Sequence, residues 1–367
     1  MGKSRDTALI LKKIKKMNNL LLLNAVIIVV ISVLTIYSAT IHKTTLFYKR
    51  EAFWGIIGIF VYLFFSFIDY RKYAKYYKLI YILNILILLS VYVVGVKRLG
   101  AQRWIDLGPI SIQPSEIGKI LVILTFSEFL VSKYRDRFIG LKSVLISFLH
   151  ILPVFLLILK QPDLGTALIL MMTYFVLIFI HGIDWKSIII MVITGIVSVP
   201  TAFFFFLKDY QKQRVLTFLN PEADLLGSGW NVTQSMIAIG SGGLYGKGFL
   251  NSTQSKLRFL PEAHTDFIGS VFLEERGFIG GIVLLGLYLI LILQIVYIAD
   301  TTDKYGRLVC YGIASIFLFH LIINVGMIMG IMPVTGKPLL LMSYGGTSLL
   351  ISFMMLGIVQ SVKMYRD

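Results

Sequence analysis

Residues 260–277, LPEAHTDFIGSVFLEERG, set Asp266 at the leading edge of an apolar run and place Glu274, Glu275 and Arg276 inside it. Moving a charge into hydrocarbon costs about 2.5–3.5 kcal/mol on insertion scales, so ionisable residues in such a run mark a functional site by default. A carboxylate at a water–membrane boundary can take a proton as general base or hold a divalent cation. The competing reading is that Thr265 or Asp266 only caps the following helix. Lys256, Arg258, Glu262 and His264 crowd the same approach, a setting suited to an anionic substrate. Glu275 and Arg276 fall roughly 14 to 15 Å further along a continuous helix, which predicts a position near mid-membrane and pairing inside a bundle, and Glu274 reads with them as structural.

Two more segments carry charge into apolar runs. In QPSEIGK (113–119), Pro114 suits the first turn of a helix, and Glu116 and Lys119 share a face at i, i+3. In KQPDLGTA (160–167), Pro162 fixes a turn and Asp163 is a candidate N-cap. Glu116, Lys119 and Asp163 fall at similar depth, as an ion-pair network that fixes packing or, for Lys119, as a contact to a substrate phosphate. Arg103, Arg214, Lys256, Arg258 and Lys337 read as mobile loop cations able to bind a diphosphate, or else as solvated surface. Cys310, His320 and Asn324 read as core or helix–helix glue.

The elements that must position these residues are membrane helices. With 57% hydrophobic and 15% charged residues and a mean hydropathy of +0.82, the chain cannot cover a soluble globule. The expected fold is all-α, a polytopic bundle of about ten transmembrane helices forming one domain over 1–367. Spans are expected near 18–40, 52–68, 77–97, 115–132, 143–160, 164–181, 186–207, 267–298, 307–330 and 343–363. Residues 1–17 form a basic leader with Lys3, Arg5, Lys12, Lys13, Lys15 and Lys16, and the apolar stretch behind it is too long for a cleaved signal, so it reads as a retained anchor. The short basic loops RKYAKYYK (71–78) and KYRDRFIGLK (133–142) both fall inside if the N-terminus does, which predicts that both termini are cytoplasmic.

A net charge of +16, spread over short loops, points to anionic lipid headgroups and phosphate-bearing lipids rather than nucleic acid. The single cysteine, Cys310, rules out an intramolecular disulfide, and five scattered histidines give no support to a structural zinc site.

Four irregular segments interrupt the spans: 97–119, 160–167, the large extracytoplasmic loop 208–265 between spans 7 and 8, and 332–348 with Gly345 and Gly346. In the long loop, Trp230, Met236, Ile237 and Ile239 predict a short amphipathic helix ending at a glycine cluster and lying at the membrane surface. All four breaks fall on the same predicted side. That one-sidedness suggests a site open outward rather than a pathway through the protein, which would show broken helices in related halves.

The blocks GAQRWIDLG (100–108), QPSEIGK (113–119), KQPDLGTA (160–167), GSGWNVTQSMIAIGSGGLYGKGFLNSTQSKLRFLPEAHTDF (227–267) and PVTGKPLLLMSYGGTS (333–348) resemble, in order, those of the SEDS family of shape, elongation, division and sporulation proteins. The segments 253–262 and 106–119 are more similar to its elongation branch, RodA, than to its division branch, FtsW. The resemblance implies a peptidoglycan glycosyltransferase in the bacterial cytoplasmic membrane that polymerises lipid II at the outer face. It carries the family's essential aspartate onto Asp266, its buried Glu and Lys onto Glu116 and Lys119, and its QPD aspartate onto Asp163. It also implies a class B penicillin-binding protein as partner and an assisting Mg²⁺ or Mn²⁺, with Asp266 as the metal-binding candidate. A lipid II flippase or transporter, or a non-catalytic scaffold that activates the penicillin-binding protein, are the alternatives. Two positions depart from the family pattern: Gly269 replaces a bulkier residue, and Arg276 replaces a leucine.

Overall fold

The computed structural model describes residues 13, 16–42, 46–98, 101–108, 110–135, 137–205, 209–220, 227–261 and 263–366. Glu262, Gly100, Pro109 and the leader residues Lys3, Arg5, Lys12 and Lys15 lie outside the described residues.

In chain order the elements are α1 (Asn19–Thr40), α2 (Leu46–Phe67), α3 (Tyr77–Val94), β1 (Val96–Arg98), β2 (Ala101–Leu107), β3 (Ile110–Ile112), α4 (Pro114–Tyr134), α5 (Leu141–Lys160), α6 (Leu164–His181) and α7 (Trp185–Phe205). They continue with α8 (Asp209–Leu219), α9 (Ser228–Gly242), α10 (Ile268–Ala299), α11 (Lys304–Ile328) and α12 (Gly346–Tyr365). Among the described residues, nine of these helices are long and apolar enough to cross a bilayer. The tenth expected span, α4, has the length, but Glu116, Lys119, Glu128 and Lys133 give it too much charge to qualify by composition. It is nevertheless a central helix. Most of α4 is buried, and it packs against α3, α5, α6 and α11. A charged helix is tolerable there because protein, not lipid, surrounds it.

Close helix packing elsewhere uses small residues, as expected where lipid tails give helices no hydrophobic reason to associate. Gly58 of α2 leaves room for the Phe353 ring of α12, and Gly357 of α12 lies against the backbone of Tyr62. By contrast, none of the apolar window of α7 is buried, and this helix leans on α5. The two chain ends meet at one end of the bundle, where Lys16 Nζ donates to the Arg366 carbonyl and the Asn18 amide donates to Gln360 Oε1.

The structure departs from the sequence reading in three ways. First, 97–119 is not simply irregular. It holds a three-stranded antiparallel sheet in the order β1-β2-β3, turned through Gly108 at φ +75° and docked on α3, α4 and α12. Second, the long 208–265 connection holds the expected helix over Trp230–Ile239, α9, which ends at the glycine cluster and packs along α10, but adds α8 and a single turn at Thr253–Lys256 that the sequence reading did not foresee.

Third, α10 is two helices joined at Gly277, whose φ of 66° and ψ of −165° are not helical. A continuous 32-residue helix would measure about 48 Å; residues 278–299 alone give about 33 Å, enough for a bilayer. Glu274, Glu275 and Arg276 therefore precede the spanning part of α10 and are not near mid-membrane. The loop 242–248 wedges into the break: Lys247 and Gly248 donate to the carbonyls of Glu274 and Glu275, and Phe278 and Ile279 donate to those of Gly243 and Leu244. A β-carbon on Gly277 would stand 2.3 Å from the Gly246 nitrogen, so side chain and backbone geometry both require glycine here.

Candidate active site

Charge collects at the end of the bundle away from the chain termini. Pro114 opens α4, which puts Glu116 and Lys119 on its first turns, and Asp163 caps α6 by accepting from the Thr166 amide at 3.2 Å. The two helices lie side by side, and the loop before α12 lowers Lys337 between them. Lys337 Nζ pairs with Asp163 Oδ1 at 2.9 Å and Glu116 Oε1 at 3.7 Å, and donates to Thr166 Oγ1. Asp163 Oδ2 also accepts from Gln113 at 2.7 Å, Ser115 at 3.0 Å and the Thr166 hydroxyl at 2.7 Å. Burial alone would raise the Asp163 carboxyl. The Lys337 ammonium and the hydrogen bonds from Lys337 and Thr166 outweigh it and hold the carboxyl well below the usual range.

Glu116 Oε2 pairs with Lys119 Nζ at 2.9 Å, and Lys119 also meets His320 Nε2 at 2.9 Å. Glu116, Lys119, Asp163 and Lys337 are each buried, which corrects the reading of Lys337 as a mobile loop cation. Nor does Lys119 face outward to a phosphate: its ammonium is committed to Glu116 and His320. Arg103 on β2 is likewise not mobile. It donates to the carbonyls of Gln161 and Pro162, beside Asp163.

Asp266 sits in the turn before α10 and is partly exposed. The N-cap position of α10 falls on Phe267, not on Thr265 or Asp266, and Phe267 makes no side-chain capping bond. Asp266 Oδ2 lies 3.4 Å from where a β-carbon on Gly336 would be, so its carboxylate rests against the loop that carries Lys337. Asn324 of α11 joins the two: its amide nitrogen donates to the carbonyls of Asp266 and Lys337, each at 2.9 Å. The turn is anchored further where Tyr344 donates its amide to the His264 carbonyl, and where Phe47, His264 and Tyr344 cluster with ring centroids 4.6–5.6 Å apart.

The other candidates lie apart from this cluster. Lys256 and Arg258 are exposed on the turn after Thr253, with Arg258 at φ +61°. Arg214 of α8 borders a small crevice with Met236 and residues 332–334. Glu274 accepts from Lys247 at 2.6 Å, from Ser252 at 2.6 Å, and from the Thr253 amide and hydroxyl at 2.9 and 2.7 Å, and so shapes the 247–254 segment. Glu275 accepts from Ser38 of α1. Arg276 stays exposed, its guanidinium 5.5 Å from the Phe249 ring, which accommodates the charge where the family pattern has leucine. Gly269 lines an apolar crevice of about 350 Å³ between α9, α10 and α11, and a β-carbon there would press on Ile328 at 2.8 Å.

The sequence reading missed His320 and Asn324 as parts of the site. The available signal was their i, i+4 spacing, which puts two polar side chains on one face of an otherwise apolar span. Among the described residues, no three His, Cys, Asp or Glu converge as a ligand set for a metal ion.

A polytopic helical bundle with a buried ion network at one end, roofed by a loop bearing a half-exposed carboxylate, defines a membrane-embedded enzyme-like site. Residues 14–367 match the FtsW/RodA/SpoVE family of cell cycle proteins, and the chain belongs to that family. It is 42% identical to the peptidoglycan glycosyltransferase MrdB of Escherichia coli K12 over 76% of this chain and 75% of that one. It is 33% identical to the peptidoglycan glycosyltransferase RodA of Treponema pallidum over 94% and 96% of the two chains. Among solved structures, a chain from a peptidoglycan synthase complex that coordinates polymerisation and crosslinking superposes with a TM-score of 0.81 at 30% identity, covering 96% of this chain and 99% of that one. The rod shape determining protein RodA of Thermus thermophilus gives 0.71 at 28%, over 95% and 97%. The resemblance drawn from the motifs is thus the family to which the chain belongs.

Proposed function

We propose that this chain is a peptidoglycan glycosyltransferase of cell elongation that polymerises lipid II at the outer face of the bacterial cytoplasmic membrane, with both termini cytoplasmic. Asp266 is the reacting carboxylate. The observation that carries this reading is the placement of Asp266, half-exposed and held by Asn324 against the loop whose Lys337 is anchored in the Asp163/Glu116 network.

In the reaction, the acceptor sugar's 4-hydroxyl attacks C1 of the donor N-acetylmuramic acid. The hydroxyl proton passes to the Asp266 carboxylate, the C1–oxygen bond to the diphosphate breaks, and the anomeric centre inverts. The leaving undecaprenyl diphosphate keeps the bonding electron pair, so its developing charge needs cations. Lys256, Arg258 and Arg214 are the accessible or half-accessible cations for that role; the buried Lys119 and Lys337, and Arg103 through its bonds to the Gln161 and Pro162 carbonyls, fix the scaffold instead. A partly exposed carboxylate beside a glycine fits Mg²⁺ or Mn²⁺ in the mode where one side chain and substrate phosphates share the ion. Asp266 would hold such an ion, which would neutralise diphosphate charge. A class B penicillin-binding protein is the proposed partner, crosslinking the glycan made here.

The test is incubation of the purified chain, alone and with that partner, with labelled lipid II and Mg²⁺ or Mn²⁺. Glycan ladders are expected from the wild-type chain and none from Asp266→Asn. Ladders of equal length from a folded Asp266→Asn protein would remove Asp266 from the chemistry. Lipid II crossing between liposome leaflets with no glycan formed would instead favour transport.

A further inference from the structure

We propose that His320 and Asn324, one turn apart on α11, are positioning residues that hold the Asp266 turn and the Lys337 loop in a single fixed relation. A membrane span that touches no substrate would then set the geometry of the reaction. This inference rests on the reading of Asp266 as the reacting carboxylate.

A side-chain amide has two N–H donors, and Asn324 spends its nitrogen on two backbone carbonyls from different segments, Asp266 and Lys337, each at 2.9 Å. Its buried Oδ1 has no hydrogen-bond partner. An asparagine serving only as glue between helices would be expected to satisfy its oxygen, since a buried unpaired acceptor is costly. Here the donor side alone is employed, and what it joins is not two helices but the two loops of the site.

His320 lies four residues earlier on the same face and grips the next carbonyl of the same loop. Its Nδ1 is 2.9 Å from the Pro338 carbonyl oxygen. A carbonyl can only accept, so Nδ1 carries the proton, and Nε2 is left with a lone pair to accept from Lys119 Nζ at 2.9 Å. One face of α11 therefore ties the carbonyls of Asp266, Lys337 and Pro338 to the ammonium of Lys119. Each of these contacts constrains a different piece: the turn before α10, the loop before α12, and α4. The Asp266 carboxylate can rest against Gly336 only while the first two keep their separation. Misplacing a reacting group by about 1 Å can cost about 100-fold in rate.

The experiment compares four single variants with the wild type in lipid II polymerisation by the full chain, with Asp266→Asn beside them, and reads kcat and KM separately along with thermal unfolding. Asn324→Leu keeps the branched shape and loses the donors; Asn324→Gln keeps the two donors on a stem one methylene longer. Asn324→Leu is expected to lose about 100-fold in kcat with KM within about threefold, and Asn324→Gln to recover at least about tenfold of that loss. His320→Phe loses both ring contacts, whereas the His320→Gln amide offers a donating nitrogen and an accepting oxygen, so kcat should fall in the first and return substantially in the second. A role in packing alone predicts that kcat follows unfolding temperature and that the hydrogen-bonding replacement gives no rescue.

Folded Asn324→Leu with kcat within about threefold of wild type, alongside inactive Asp266→Asn, would overturn the positioning role and leave the Asp266 reading standing. An active Asp266→Asn would overturn the reading beneath it. If Asn324→Leu does not fold, the His320 pair decides, and equal kcat in Phe and Gln variants overturns the proposal.

Discussion

Lys337 and Asp163 close on each other at 2.9 Å, with both side chains almost wholly shielded from solvent. The pair joins the loop before α12 to the cap of α6, and Glu116 of α4 stands 3.7 Å from the same ammonium. Three elements far apart in the chain are thus registered at one nitrogen.

Removing that nitrogen should be expensive. Lys337→Met leaves two buried carboxylates without their shared cation, and breaking one member of a buried pair costs about 3–5 kcal/mol. Detergent-solubilised Lys337→Met should unfold well below the wild type. The double variant Asp163→Asn/Lys337→Met should recover part of the loss; additive effects of the two single changes would argue against a coupled pair.

Gly165 is where the Lys337 stem lies. A β-carbon there would stand 2.5 Å from Lys337 Cε, closer than atoms can pack. Gly165→Ala should therefore destabilise by about 1–3 kcal/mol through displacement of the lysine. Combined with Lys337→Met, the alanine should cost less than it does alone, and calorimetry on the four proteins measures the difference.

The acid limb of stability should carry the signature of Asp163. Its carboxyl is held below the ordinary value in the folded protein, so it binds fewer protons folded than unfolded. The stabilisation is complete above the unfolded value of about 3.9 and is lost as pH falls through the lower folded value. Between neutrality and about pH 5, this group should add no pH dependence to the unfolding temperature, and Asp163→Asn should flatten the decline below that. A wild-type step near pH 6 that vanishes in Asp163→Asn would contradict the assignment.

Glu274 holds the 247–254 segment through the donors of Lys247, Ser252 and Thr253. Glu274→Gln replaces an acceptor of charge-assisted bonds with a group that must also place two donors, at a cost of about 1.5–3 kcal/mol. The effect should be local. Limited proteolysis is expected to cut within 247–254 faster in the variant while the unfolding temperature of the bundle changes little.

Much of the fold was legible because apolar runs of bilayer length leave few other arrangements. Even α4 could be placed, since Pro114 marks its start and the charges of Glu116 and Lys119 share a face. The cap at Asp163 was equally local. The sheet at 96–112 escaped notice because β1 and β3 have three residues each and the seven of β2, AQRWIDL, do not alternate apolar with polar. Gly277 escaped because a glycine inside a long apolar pattern reads as a tolerated residue until its backbone angles are known. The pairings of Lys337, Arg103 and Asn324 were out of reach for a different reason. They join different elements of the fold, and the charge or polarity of a residue says nothing of which neighbouring segment folds against it.

The break at Gly277 also decides how the protein can enter a membrane at all. Residues 278–299 carry no charged side chain, so this segment partitions into lipid without ionic cost. Had α10 run on unbroken, Glu274, Glu275 and Arg276 would have been drawn toward hydrocarbon, at a cost of roughly 8 kcal/mol or more on insertion scales. One residue with no side chain separates a greasy anchor from a charged headpiece that is built around residues 242–254.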